Sequence, residues 1–313
     1  MSDGVAATEH RLHGLEPDNL LAFLALLGLL HALEEAEPTW RPRVRWTVDE
    51  PPLRPVLQTR VPVTAEDVVQ AAERGIAAIV ERHEFGSLKD LSLTGEQMRE
   101  ELAARRAAPD GAVWSALGSD AAVKDDGKVE STPYCTIFGQ GHQHFLERLR
   151  VVSGFSEPPR RGRGKKARTL TGPETLAEAL FAPWERIDRT MSFRWDTEED
   201  VRYAHRHANP SDSATKAGTQ YGANRLAAIA IGCLPAVPVV VGKRVRVLAR
   251  GTARRPMLTA SWPIWTEGAS LAAILAMLDG TGRVDAAPAW GYRTQRFSQG
   301  KFMNWRVAER VDR

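Results

Sequence analysis

Asp196, Glu198, Glu199 and Asp200 stand almost side by side, and His205 and His207 follow a few residues later. Clustered carboxylates with nearby imidazoles suit a hard divalent cation, which takes several oxygen ligands. A nuclease uses such a cation to activate water and clamp a phosphate. One reading is therefore a metal-dependent nuclease built on Asp196, Glu199, His205 and His207. The same Thr197-Glu198-Glu199-Asp200 run also reads as a helix start. Carboxylates there satisfy orphan amides and complement the helix dipole, and Arg202 and Arg206, one turn apart, would pair with Glu198 or Glu199. The helix start is the preferred reading, and His205 and His207, two apart after a helix-like run, would not share a face. The other pair, His142 and His144, has the same spacing. Neither pair has a matching set of Cys, Asp or Glu at a recognised spacing, so no metal site and no cofactor is expected.

Other chemistry is thin. No G-x-S-x-G elbow occurs. Cys135 and Cys233 are the only cysteines and form no C-x-x-C pair, which removes the usual thiolate zinc spacing. Two glycine-bearing turns, Phe138-Gly139-Gln140-Gly141-His142 and Gly218-Thr219-Gln220-Tyr221-Gly222, resemble loops that cradle a phosphate before a helix N-terminus. Neither fits the P-loop pattern.

Cations recur where catalytic sets do not. Arg160, Arg161, Arg163, Lys165, Lys166 and Arg168 crowd one Gly- and Pro-bearing stretch. They would neutralise phosphates and release counterions, or simply be solvated. Asn224 and Arg225 follow a Gly-Ala turn and are the side-chain types that make bidentate base contacts. Arg244 and Arg246 alternate with apolar residues, the pattern of a strand with one wet basic face. From Trp290 to Trp305, aromatics interleave with Arg293, Arg296 and Lys301. That mixture suits base stacking with backbone neutralisation; the bland alternative is a terminal strand packing its rings inward. Together these residues point to a nucleic-acid surface and away from catalysis.

The elements that would position them are legible in outline. Leu20–Leu33 is apolar on nearly every face, so its helix must be buried all round. It is shorter than a membrane span and lacks the basic lead of a signal peptide. Gly28 inside it implies a closely approaching backbone, since a Gly costs about 1 kcal/mol against Ala in a helix. Thr64 caps a helix from Ala65 to about Glu84, Gly95–Arg106 is another, and Pro109–Ser131 reads as loops. Residues 1–13 read as a loose tail. Further helices are expected at 144–152, 173–184, 224–233 and 270–278, and strands at 44–48, 237–241, 244–248 and 261–265. The fold class is α+β, a helix-rich composite with short strands. Its expected halves, 1–156 and 170–313, are joined by a basic flexible loop at 157–169. With 313 residues, 43% hydrophobic and 26% charged, the composition is that of an ordinary globular chain. The net charge of +3 and a pI near 9.0 permit a nucleic-acid partner without requiring one. Two isolated cysteines fit a reducing cytoplasm.

Several blocks carry a family resemblance. Gly14, Leu15 and Pro17 before the Leu20–Leu33 helix resemble the opening of subunits of type I CRISPR effector complexes. Phe193-Arg-Trp-Asp with Glu199-Asp200, Arg202-Tyr-Ala204, Asn209-Pro-Ser211, Gly222-Ala-Asn-Arg-Leu-Ala227, Leu234-Pro-x-x-Pro238 and Trp262-Pro-Ile-Trp265 look like the type I-G (formerly I-U) large-subunit or related accessory group. The resemblance implies a non-catalytic component of an RNA-guided surveillance complex. Such a subunit binds guide RNA (crRNA) and target DNA, reads a protospacer-adjacent motif, stabilises the opened duplex, and leaves target sequence to base pairing. It implies other effector subunits and a separate helicase-nuclease as partners, a cytoplasmic setting and no membrane. At 313 residues the chain is short for a large subunit, so a C-terminal helical bundle would be reduced or supplied by another protein.

Overall fold

A computed structural model describes residues 8–136, 144–162, 164–199, 217–254, 256–279, 290–299 and 302–312. The fold is α+β. The N-terminal part opens with β1 (Thr8–Arg11), α1 (Leu20–Ala36), β2 (Arg43–Trp46), β3 (Pro55–Thr59) and α2 (Ala65–Glu81). It continues through α3 (Gly95–Ala104), α4 (Gly111–Leu117), β4 (Gly118–Val123), β5 (Val129–Ser131) and α5 (Phe145–Ser153). After these come β6 (Arg160–Arg161), β7 (Arg168–Thr169), α6 (Gly172–Phe181), β8 (Asp188–Thr190), β9 (Ala217–Thr219) and α7 (Tyr221–Ala230). The remainder is β10 (Ala236–Val241), β11 (Arg244–Ala249), β12 (Thr252–Arg254), β13 (Leu258–Pro263), α8 (Leu271–Leu278), β14 (Trp290–Gln299), β15 (Phe302–Trp305) and β16 (Glu309–Asp312).

Helix α1 starts where Asn19 accepts the amide of Ala22, and nearly all its residues are buried, as an all-apolar helix requires. Three other starts carry capping boxes, Thr64 with Asp67, Thr94 with Gln97 and Thr171 with Glu174. Glycines let three helix pairs meet backbone to backbone. A Cβ on Gly28 of α1 would overlap the Leu226 carbonyl of α7. One on Gly75 of α2 would overlap the Ala32 carbonyl of α1, and one on Gly222 of α7 would overlap the Thr175 carbonyl of α6. Helices α2, α1, α7 and α6 are thereby laid side by side, with α5 also against α7.

Three antiparallel strands in the order β1-β3-β2 lie near the N-terminus. The C-terminal sheet runs β12-β13-β14-β15, with β16 beside the first half of β14. The Trp262-Pro-Ile-Trp265 segment ties it to the rest. Trp262 stacks on Phe23 of α1 and donates to Pro17 O at 2.8 Å. Trp265 packs edge-on to Trp46, and its Nε1 donates to Val44 O.

Three expectations need correction. Part of the expected tail is β1, paired with β3 from Thr8 to Arg11. Pro109–Ser131 contains α4, β4 and β5, because Val113, Trp114, Ala116 and Leu117 all enter the core. Residues 222–225 are no turn; they lie inside α7. The two expected halves also share one hydrophobic core, in which α1 lies along α7. Among the described residues no helix is long and apolar enough to cross a membrane.

Gly28→Ala is expected to lose at least about 2 kcal/mol, the scale of forced overpacking. Urea denaturation would read this as a lower midpoint, and an unchanged midpoint would contradict the backbone contact.

Candidate nucleic-acid interface

The acidic segment is built into the core. Asp196 is 3% exposed. Its Oδ1 accepts Asn19 Nδ2 at 2.8 Å and the Glu198 amide at 3.0 Å, and its Oδ2 accepts Arg186 Nε at 2.7 Å. Glu199 accepts the hydroxyls of Ser192 and Thr219 and lies 3.7 Å from Arg194. Burial pushes its carboxyl above the usual glutamate range, against the opposing pull of Arg194. Glu198 is exposed and pairs with Arg186. Where the sequence placed a helix start, residues 197–199 form a turn. Among the described residues no group of three or more His, Cys, Asp or Glu is placed to hold a metal ion. Asp200, Arg202, His142, His205, Arg206 and His207 lie outside the described residues, as does the Phe138–His142 turn. His144 occupies the N-cap position of α5 and pairs with Glu147.

Asn224 and Arg225 are interior residues, 0% and 2% exposed, which corrects their assignment as base-contacting groups. Asn224 Oδ1 accepts the Phe193 amide, and its Nδ2 donates to Thr219 Oγ1 at 2.8 Å and Gln220 O at 3.0 Å. Arg225 makes a two-pronged pair with Glu73 at 2.6 and 2.8 Å, and its guanidinium lies 4.5 Å from the Phe155 ring centroid. A helix N-terminus without a side chain to fill it is an anion site. Here Asp188 takes that place, accepting the Tyr221 amide at 3.1 Å. The 218–222 segment therefore cradles no phosphate.

Exposed cations lie elsewhere. Strands β6 and β7 pair antiparallel, Arg160 with Thr169 and Arg161 with Arg168. Arg160, Lys166 and Arg168 are exposed there, with Arg168 paired to Glu174. Arg161 instead turns to Asp188 and Glu178 and anchors the hairpin. Arg163 and the Lys165 side chain lie outside the described residues. A second hairpin, β10–β11, projects Arg244 beside Asp125 and carries Arg246 within 3.7 Å of Glu130. Val240 near its tip is 77% exposed.

The third basic surface is the solvent face of the C-terminal sheet. Arg293 and Gln295 of β14 stand on that face, where Thr259 of β13 pairs with Gln295 and Glu309 of β16 with Arg293. Arg306 lies between β15 and β16 and is held by Gln295 O. These residues line a groove of about 260 Å³, with Met257 and Val307 supplying apolar surface. The groove is smaller than the roughly 300–1,000 Å³ of a small-molecule site. Three of the rings do not follow the stacking expectation. Tyr292 stacks on Trp262, Trp290 packs against Tyr292, and Trp305 is buried against Tyr134. Arg296 points inward and donates to Pro133 O at 2.9 Å. Lys301 lies outside the described residues.

Sequence reasoning missed Arg306 and Met257. Arg306 follows directly on the aromatic and cationic stretch, so extending that stretch by one residue would have found it. Met257 carries no sequence signal; only the β13–β14 pairing brings it to the groove. Compared with known proteins, the sequence matches no protein-family model and no curated protein.

Glu73→Ala leaves the Arg225 guanidinium buried and unpaired, and about 3 kcal/mol of stability should be lost. The double variant Glu73→Ala/Arg225→Met should recover part of that loss, as a double-mutant cycle by chemical denaturation would show. For Glu199 the raised folded-state pKa fixes the sign. Its protonated form contributes stability that is complete below the ordinary value of 4.5 and is lost as pH rises through the folded pKa. Melting temperatures across pH 4–8 should therefore fall less steeply for Glu199→Gln than for the natural protein.

Proposed function

We propose that the chain is a non-catalytic nucleic-acid-binding subunit of an RNA-guided CRISPR surveillance complex. In this reading it contacts guide RNA and target DNA, with recognition of a protospacer-adjacent motif and R-loop stabilisation as its contribution. Other effector subunits and a separate helicase-nuclease are its partners, in the cytoplasm. The observation that carries the reading is the groove on the C-terminal sheet, where Arg293 and Arg306 flank the apolar surface of Met257 and Val307. Guanidinium forks match phosphate geometry, and neighbouring apolar surface accepts sugar or base. The exposed Arg160, Lys166 and Arg168 on the β6–β7 hairpin supply further backbone neutralisation. The type I-G resemblance names the kind of complex. Within the described acidic segment, Asp196 and Glu199 are already engaged by protein donors, an arrangement that favours architecture over metal-assisted cleavage.

Fluorescence anisotropy of labelled single-stranded RNA and of single- and double-stranded DNA, measured across a salt series, tests the reading. The test variant is Arg160→Gln/Lys166→Gln/Arg168→Gln/Arg293→Gln/Arg306→Gln; Arg161 is kept because it anchors the hairpin. The log–log salt slope should become shallower by about 3.5, given about 0.7 per phosphate contact on a single strand. No binding by the natural protein, or an unchanged slope, would overturn the proposal. Cleavage with magnesium or manganese that disappears in a folded Asp196→Ala variant would replace it with the nuclease reading.

A further inference from the structure

Two arginines from separate strands meet one carboxylate behind the C-terminal sheet, and a third stands in the same row. Glu130 of β5 lies 3.3 Å from Arg254 of β12 and 3.7 Å from Arg246 of β11. It also accepts the Val247 amide at 3.0 Å, which holds it between the β10–β11 hairpin and the sheet. Arg296 of β14 belongs to the same group. Arg254 sits opposite Leu258 of β13, and Arg296 lies one residue past the Thr259–Gln295 pair, on the other side of Leu258. Leu258 and Trp305, the partner of Arg296 across β14–β15, are buried, which places this row on the inner face of the sheet.

The charges do not balance. Among the described residues Glu130 is the carboxylate paired with Arg246 and Arg254, and Arg296 has a backbone carbonyl, Pro133 O, as its hydrogen-bond acceptor. Nε of Arg254 is buried without an acceptor. Burial first and the Arg254 charge second pull the Arg296 guanidinium below its usual value. Cys135, whose thiol burial pushes up to about 11, is neutral at pH 7 and adds no compensating charge. A guanidinium stays protonated in proteins, so the cluster keeps an excess of about two positive charges. Partly buried like charges without counterions are costly, and the cheapest relief is an anion. Solvent reaches the cluster, since the side chains of Arg246, Arg254 and Glu130 are 31%, 22% and 15% exposed.

We propose that Arg246, Arg254 and Arg296 form a phosphate-binding site around Glu130. A phosphate fits better than a carboxylate because three guanidinium forks require more acceptor oxygens than a carboxylate's two. The site rests on the nucleic-acid reading only for the source of that phosphate, which is a phosphodiester of a bound strand.

Two variants push in opposite directions. Arg254→Gln removes a cation, and Glu130→Gln removes the competing carboxylate while keeping an oxygen for the Val247 amide. Inorganic phosphate, titrated at constant ionic strength against chloride, should raise the melting temperature of the natural protein. Its apparent Kd should weaken about tenfold in Arg254→Gln, the scale of one charged hydrogen bond, and tighten in Glu130→Gln. General misfolding would not produce that opposite pair. No phosphate-specific protection, or equal protection in all three proteins, overturns the site. Anisotropy with single-stranded RNA separates the source. A slope shallower by about 0.7 in Arg254→Gln places the strand at the cluster. RNA binding with an unchanged slope overturns the phosphodiester assignment and leaves the nucleic-acid reading standing. Absence of RNA binding by the natural protein overturns that reading, and the phosphate titration then decides the site alone.

Discussion

The close approach of α1 to α7 organises the molecule. Helix α1 is apolar on nearly every face from Leu20 to Leu33, and that stretch is stable only with neighbours around it. Gly28 lets the α7 backbone come within contact of it, and Gly75 and Gly222 extend the same device to α2 and α6. A side chain at any of these places would push two helices apart and open voids in a core that tolerates few. Because α1 belongs to the first half of the chain and α7 to the second, this packing also explains why the β6–β7 pair lies beside a shared core and does not separate two cores.

Polar residues near α7 fix what packing alone would leave loose. Asn224 takes the Phe193 amide, Arg225 reaches Glu73 of α2, and Asp188 fills the α7 N-terminus. Trp195 stacks on Phe193 at 4.3 Å and donates to Tyr134 O. Arg186 and Arg194 adopt positive φ, 53° and 58°, a conformation costly for side chains of this size. Both are held there by carboxylates, Asp196 for the first and Glu199 for the second. The acidic segment that most resembled an active site is thus the polar seam between helices and loops.

Outside that core, the cations divide into two kinds. Some are matched to carboxylates, as Arg161 is with Asp188 and Glu178, and serve as anchors. Others stand exposed on the β6–β7 hairpin and the sheet groove, or crowd a single carboxylate at Glu130. A net charge of +3 hides this unevenness. Matched pairs cancel in both the sum and the local field, whereas unmatched ones concentrate positive potential where an anion would meet it.

Periodicity and capping chemistry determined much of the local structure in the sequence itself. The buried α1 with its close-packed glycine, the Thr64 cap, α5, α6 and α8, and the β10–β11 hairpin all follow from patterns within a few residues. The α4–β4–β5 region was illegible because its Asp-, Gly- and Lys-rich composition resembles a loop. Its apolar residues gain their meaning only from the core they enter. For the candidate site the sequence offered residue types without their directions. Asn224 and Arg225 looked available for a base, yet α7 lies against four other helices, and a buried Arg must find a carboxylate such as Glu73. Arg293 and Arg296 looked alike three residues apart, but a strand alternates its faces, so one meets solvent and the other the interior. Chain-local forces set which residues become helix or strand. Which of their charges remain unpaired depends on neighbours distant in sequence, so only the tertiary structure decided that.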